Sequence, residues 1–326
     1  MRLLRYDRDG TPRLAIAKDD RAIDLLDALE GMAGVTDEDR AVCRDTVPFI
    51  AAGERGRDLA ERVLAEAEEM EAAEGNGAAG SALADLKLCA PLRPEIILCS
   101  GENYHDHRAE KPQVEGKEPE FFIKVPHGVI GPGDDILLHP AVTEKLDYET
   151  ELAVVIGRAG RLIPLDQALD HVYGYTVMND VTARDRQVRM RPDGTCSYNL
   201  GPGKNFDTCA PMGPVLVTAD EVGDPQALDL RTLVNGETRQ NNSTASMIWP
   251  VAELVRFFST YLTLQPGFVI STGTPGGTAW GTDAELGARK TTRDDVVPAP
   301  GYLQPGDEVS CEIAGIGELR NTVRAA

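Results

Sequence analysis

The chain is short of positive charge. Its 326 residues hold 33 Lys and Arg against 53 Asp and Glu, a formal net charge of −20. A surface of that sign repels phosphate backbones and anionic lipid unless a dense basic patch overrides it locally, and the sequence contains no such patch. Nucleic acid and membrane surfaces are therefore excluded as partners. Long apolar runs are missing as well: nothing approaches the roughly 20 residues of a membrane span, and Met1 leads into Arg2-Leu3-Leu4-Arg5 without a secretory leader. The six cysteines (Cys43, Cys89, Cys99, Cys196, Cys209, Cys311) show neither CxxC nor zinc spacing. That sets aside a disulfide scaffold and a zinc ribbon, and suits reduced thiols in the cytoplasm.

What is present reads as a folded chain of two parts. Residues 1–75 form a small α+β unit. It opens on an alternating hairpin, Leu3–Tyr6 and Leu14–Ala17 around Asp9-Gly10, followed by helical patterns at Ala22–Leu29 and about Asp58–Ala73. Between Asp37 and Glu74 stand 12 acidic and 5 basic side chains, either a docking surface or a solvated helix face. The Gly- and Ala-rich stretch within 76–88 is a linker. Residues 89–326 change texture to short β-rich runs, with helices expected at Leu165–His171 and Val251–Leu262. The fold class is α+β, mainly β, rather than a doubly wound parallel sheet.

Four segments carry chemistry. In Asp147-Tyr148-Glu149-Thr150-Glu151-Leu152, Glu149 and Glu151 share one face of a strand that then turns wholly apolar. They are either a solvated strand start or two ligands of a hard divalent ion, since paired carboxylates need a cation between them once buried. Asp180 ends the Gly174–Met178 strand and is either a third ligand or the N-cap of the next helical segment; Arg184 and Gln187 lie one turn further on. His107 and Glu110 stack at i, i+3, as a base with its orienting carboxylate or as a surface pair; His105 does not share that face. Lys204 in Gly201-Pro202-Gly203-Lys204, and Ser271–Gly277 with Thr274, either line an anion pocket or make structural turns.

These segments, in this order, resemble the fumarylacetoacetate hydrolase family from about residue 90 onward; the shared pattern includes Asn103-Tyr104-His105-Asp106-His107-Arg108-Ala109-Glu110, Gly203-Lys204-Asn205-Phe206-Asp207 and Gly315–Asn321. The resemblance implies a mixed β-roll, a homodimer, and Mg²⁺ or Mn²⁺ (or Ca²⁺) held by Glu149, Glu151 and Asp180. It implies a water-activating dyad of His107 and Glu110, a steadying Lys204, and substrate contacts from Tyr104, Arg184, Gln187 and Thr274. The expected activity is hydrolysis of a C–C bond in an acylpyruvate-type anion, with electrons passing into an enolate. Decarboxylation, tautomerisation or hydration of an oxo acid on the same scaffold are the alternatives, and a non-catalytic acid-binding protein is a further one. Three features depart from the family pattern: Glu102, which stands near a fourth metal carboxylate of the namesake enzyme; His127; and the 189–203 stretch. They are expected to shape the substrate pocket.

Overall fold

The computed structural model describes residues 1–74, 80–110, 118–288 and 294–326; the first part of the expected linker lies outside these residues. The N-terminal alternation becomes an antiparallel hairpin. Arg2–Arg8 pairs with Thr11–Lys18 along their full length, and the turn residues Asp9 and Gly10 both take positive φ (54° and 81°), the geometry that matches the twist of two joined strands. The third N-terminal segment differs from expectation. Arg21–Asp24 is a strand, and helix begins only at Leu25, capped by the Asp24 carboxylate accepting from the Asp27 amide. The apolar spacing of 22–29 serves a strand and then a helix, which periodicity alone does not separate. The long acidic helix runs over Glu54–Glu74 and buries Leu59, Ala60, Val63 and Ala67.

These strands are not a separate sheet. Arg2 and Leu3 pair with Val217 and Leu216 of the Ala210–Thr218 strand, extending one 12-stranded mixed sheet. From Ala210–Thr218 it continues through Val172–Asn179, Thr150–Ile156, Val269–Ser271 and Ile97–Gly101 to the edge strand Glu120–Lys124. A five-stranded sheet, ordered Glu237–Ser243, Asp229–Val234, Glu308–Ile313, Gly317–Ala325, Asp135–Leu138, packs beside it. The expected sheet-dominated α+β architecture is what the chain adopts. Among the described residues no helix is long and apolar enough to cross a membrane, and all six cysteines are free.

Thr150–Ile156 is buried at every position, which explains its unbroken apolar run: a strand covered on both faces has no solvated side to alternate toward. Leu152, Val154 and Ile156 join one apolar cluster with Leu230, Val309, Leu319 and the Val251–Tyr261 helix. Ala153 and Val155 join a second one with Leu3, Ile16, Phe49, Ile50 and Leu59. Both cores therefore grip the strand that carries the acidic pair at its head.

Candidate active site

Strand register assembles the acidic group. Thr150 lies opposite Asn179 in the antiparallel ladder, so Glu149 and Asp180, one step beyond, end side by side. The Asp180 amide donates to the Glu149 carbonyl (2.9 Å) and the Glu149 amide to Asn179 Oδ1 (2.9 Å). Carboxylate oxygens of Glu149, Glu151 and Asp180 come within 4.8 Å of one another, all three residues buried. The solvated-strand reading of Glu149 and Glu151 is thereby excluded. So is the N-cap reading of Asp180: the cap of the Arg184–Gln187 helix is Ala183. Glu102 lines the same cavity but does not belong to the acidic group.

Three buried cations face these carboxylates. Lys204 Nζ donates to Glu149 Oε2 and Asp180 Oδ2, both at 2.6 Å, and lies 5.2 Å from the Phe122 ring centroid. Lys124 Nζ is 2.6 Å from Asp180 Oδ1 and donates to the Val181 carbonyl. Arg184, with no exposed surface, donates to Asp147 Oδ2 (2.7 Å), Glu149 Oε1 (2.5 Å) and Gln187 Oε1 (2.8 Å). Glu151 is held differently: Ser271 Oγ and the Gly273 amide both donate to its Oε2. Burial, then the charges of Asp180 and Glu149, push its carboxyl up to about 8. Three carboxylates this close, with only oxygen donors, fit a hard divalent cation and not a soft-metal site.

The structure brings His107 and Glu110 together. His107 Nδ1 is 2.9 Å from Glu110 Oε2, and both residues are buried. A carboxylate only accepts, so Nδ1 carries the hydrogen of this bond. Glu110 is fixed from behind, where the Gly277 amide donates to Oε1 (2.8 Å). Gly281 packs against it, and a Cβ there would stand 2.6 Å from that oxygen, so any larger residue would displace the carboxylate. His107 lines the same cavity as the acidic group, together with Arg184, Gln187, Lys204 and Thr274. The cavity measures about 30 Å³.

Over this region the profile described as fumarylacetoacetate (FAA) hydrolase C-terminal matches residues 96–324. The chain belongs to the fumarylacetoacetate hydrolase family. Within the family it is 40% identical over 245 residues to the oxaloacetate tautomerase YisK of Bacillus subtilis, covering 74% of each chain. It is equally 40% identical, over 240 residues, to the mitochondrial oxaloacetate tautomerase FAHD2A of Homo sapiens, covering 73% of this chain and 70% of that one. Among solved structures it resembles maleylpyruvate hydrolase from Sphingobium sp. SYK-6 in complex with manganese(II) and pyruvate, at 27% identity and a TM-score of 0.71 with both chains fully covered. It likewise resembles a putative HpcE protein from Mycobacterium smegmatis, at 30% identity and a TM-score of 0.75, again with full coverage.

Not every expected residue reaches the cavity of this family member. Tyr104 has no exposed surface, packs in the main apolar cluster and is not on the cavity wall. His127 is corrected outright. The Pro126–Gly128 turn leaves its side chain 89% exposed, 4.0 Å from Asp207 and away from the pocket. From the 189–203 stretch, Tyr198 and Leu200 do line the cavity.

Other residues of the site act through contacts that sequence spacing does not reveal. Asp147 accepts from Arg184 and from the amides of Tyr148, Ala279 and Trp280. Asn103 bonds the Thr272 carbonyl and both backbone groups of Trp249, tying the dyad segment to the Ser271–Gly277 loop. Gln240 donates to Thr274 Oγ1 and the Pro275 carbonyl and accepts from the Thr150 amide.

Proposed function

We propose that this protein is a divalent-cation-dependent enzyme acting on a small 2-oxo acid, and that its reaction is keto–enol tautomerisation of a dicarboxylic substrate of the oxaloacetate type. The observation that carries the reading is buried His107, bonded to Glu110, facing the same small cavity as Glu149, Glu151 and Asp180. The relatives named oxaloacetate tautomerase, at 40% identity, favour tautomerisation among the reactions such a cavity supports.

Glu149, Glu151 and Asp180 would hold the cation. Once bound, it would supply Lewis acidity to the oxo-acid oxygens. His107 Nε2 takes the proton from the carbon beside the oxo group and returns one to the enol oxygen, while Glu110 fixes the ring and meets the charge of the imidazolium. Lys204 and Arg184 supply positive charge against the oxygen on which negative charge develops.

C–C hydrolysis is the second reading, since the same base can take its proton from water, and the maleylpyruvate hydrolase structure resembles this chain over its full length. A product assay separates the reactions. With oxaloacetate and an acylpyruvate, each with Mg²⁺, with Mn²⁺ and with EDTA, tautomerisation leaves the carbon skeleton intact. Hydrolysis gives two fragments, and decarboxylation releases CO₂. Enol decay of oxaloacetate no faster than in buffer would refute the primary reading.

A further inference from the structure

The cavity wall carries a hydroxyl that no group among the described residues uses. Ser100 is 2% exposed and lines the cavity with Gly273, Glu151 and Lys204, yet its Oγ has no hydrogen-bond partner among the described residues. Neighbouring hydroxyls are committed to the protein: Ser271 to Glu151, Thr272 to the Leu152 carbonyl and Thr274 to the Thr150 carbonyl. The backbone at Ser100 is held on two sides. Its strand places it opposite Phe121, and Gly273 approaches so closely that a Cβ there would lie 3.1 Å from the Ser100 carbonyl oxygen. The backbone is thus fixed, and the hydroxyl can turn only about its own side-chain bond. A buried, unpaired hydroxyl costs folding free energy, and the fully buried Ile97, Leu98 and Cys99 just before it show that this strand packs well with side chains that carry no hydroxyl.

We propose that Ser100 is a substrate-contact residue whose hydroxyl donates to an oxygen of the bound 2-oxo acid. The inference rests on the cavity being the oxo-acid site. Arg184 and Lys204 already spend hydrogen bonds on Asp147, Glu149 and Asp180. Ser100 is a buried wall donor with its bond still to make among the described residues, and a neutral hydroxyl adds direction without altering the charge balance around the acidic group.

The test is the Ser100→Ala variant of the full chain. Pyruvate and oxalate are titrated by calorimetry into Mn²⁺-loaded protein, and the melting temperature of the ligand-free protein is measured alongside. The expected result is affinity weakened about five- to tenfold and a melting temperature unchanged or higher, because the substitution removes an unpaired buried group. Equal affinity in variant and wild type overturns the inference and leaves the functional reading standing. A fall in melting temperature alongside the loss of affinity also overturns it, by assigning the hydroxyl to the fold. Failure of both anions to bind the wild type defeats the functional reading, and this inference with it.

Discussion

Removing the Asp147 carboxylate should loosen the site from behind. The residue has no exposed surface. Its Oδ1 accepts from the Tyr148 and Ala279 amides (both 2.9 Å), and its Oδ2 from Arg184 Nε (2.7 Å) and the Trp280 amide (3.0 Å). Asp147→Ala strips one carboxylate from a fully buried guanidinium and leaves amides of the 279–280 segment without their acceptor. Breaking a buried ion pair from one side costs about 3–5 kcal/mol, and each stranded donor adds roughly 1–3 kcal/mol where water cannot reach it. Glu149 and Gln187 still hold Arg184, so the total should lie near the lower end of that sum, about 5–7 kcal/mol. For a chain of 326 residues, an unfolding entropy of about 2.1 cal/mol/K per residue makes each kcal/mol worth roughly 1.5 °C. The expected drop in melting temperature is therefore about 7–10 °C, followed by circular dichroism at pH 7. Asp147→Asn, which keeps one acceptor oxygen, should fall between. Exposed Asp193→Ala, whose carboxylate serves only its own turn with Thr195, should move the midpoint by less than about 1 °C. An Asp147→Ala midpoint within about 2 °C of wild type would refute the argument, leaving Arg184 anchored by Glu149 and Gln187 alone.

Further expectations concern the ion and the base. Glu151, with its carboxyl raised to about 8 by burial and by Asp180 and Glu149, holds a proton in the folded state that the unfolded chain has already released. Ion-free protein should thus lose stability as pH rises from about 4.5 to 8. Thermal melts in EDTA across that range should show the decline and saturating Mn²⁺ should suppress it; a flat EDTA profile would contradict the shift. Glu149→Ala combined with Glu151→Ala should abolish Mn²⁺ binding by calorimetry, and retained stoichiometric binding would remove the acidic group from the metal site. His107→Ala should lower turnover about 10²- to 10⁴-fold while pyruvate affinity stays near wild type; loss of affinity with unchanged turnover would assign His107 to binding instead. Gly281→Ala, forcing a Cβ to 2.6 Å from Glu110 Oε1, should impair turnover far more than Gly31→Ala, where a Cβ meets open space. Equal effects would show that Glu110 needs no such support.

Sequence pattern was most informative where one strand or one helical turn decides the outcome. The apolar run Leu152–Ile156 is the doubly covered strand, and the pair Glu149 and Glu151 needed only strand periodicity to share a site. His107 and Glu110 needed only one turn of helix. What escaped was set by contacts distant in sequence. Asp147 finds its partners 37 and more than 130 residues away. Lys124 reads as the polar end of a strand until Asp180 arrives from another one. Gln240 reaches the site from the second sheet. The Ala22–Leu29 pattern misled because a four-residue strand and a helix start share apolar spacing. Tyr104 sits beside the dyad in sequence but one residue outside its helix, where the chain turns its ring into the core.

The Thr150–Ile156 strand has one more consequence. Because alternate side chains belong to different cores, the acidic group rests on a beam clamped by two independently packed bodies, one of them built by the N-terminal helices. A cavity opened at Phe49 or Ile50, touching no part of the active site, should let that beam shift on one side. The early symptom of such damage would be a drift in ion affinity, registered before the fold as a whole gives way.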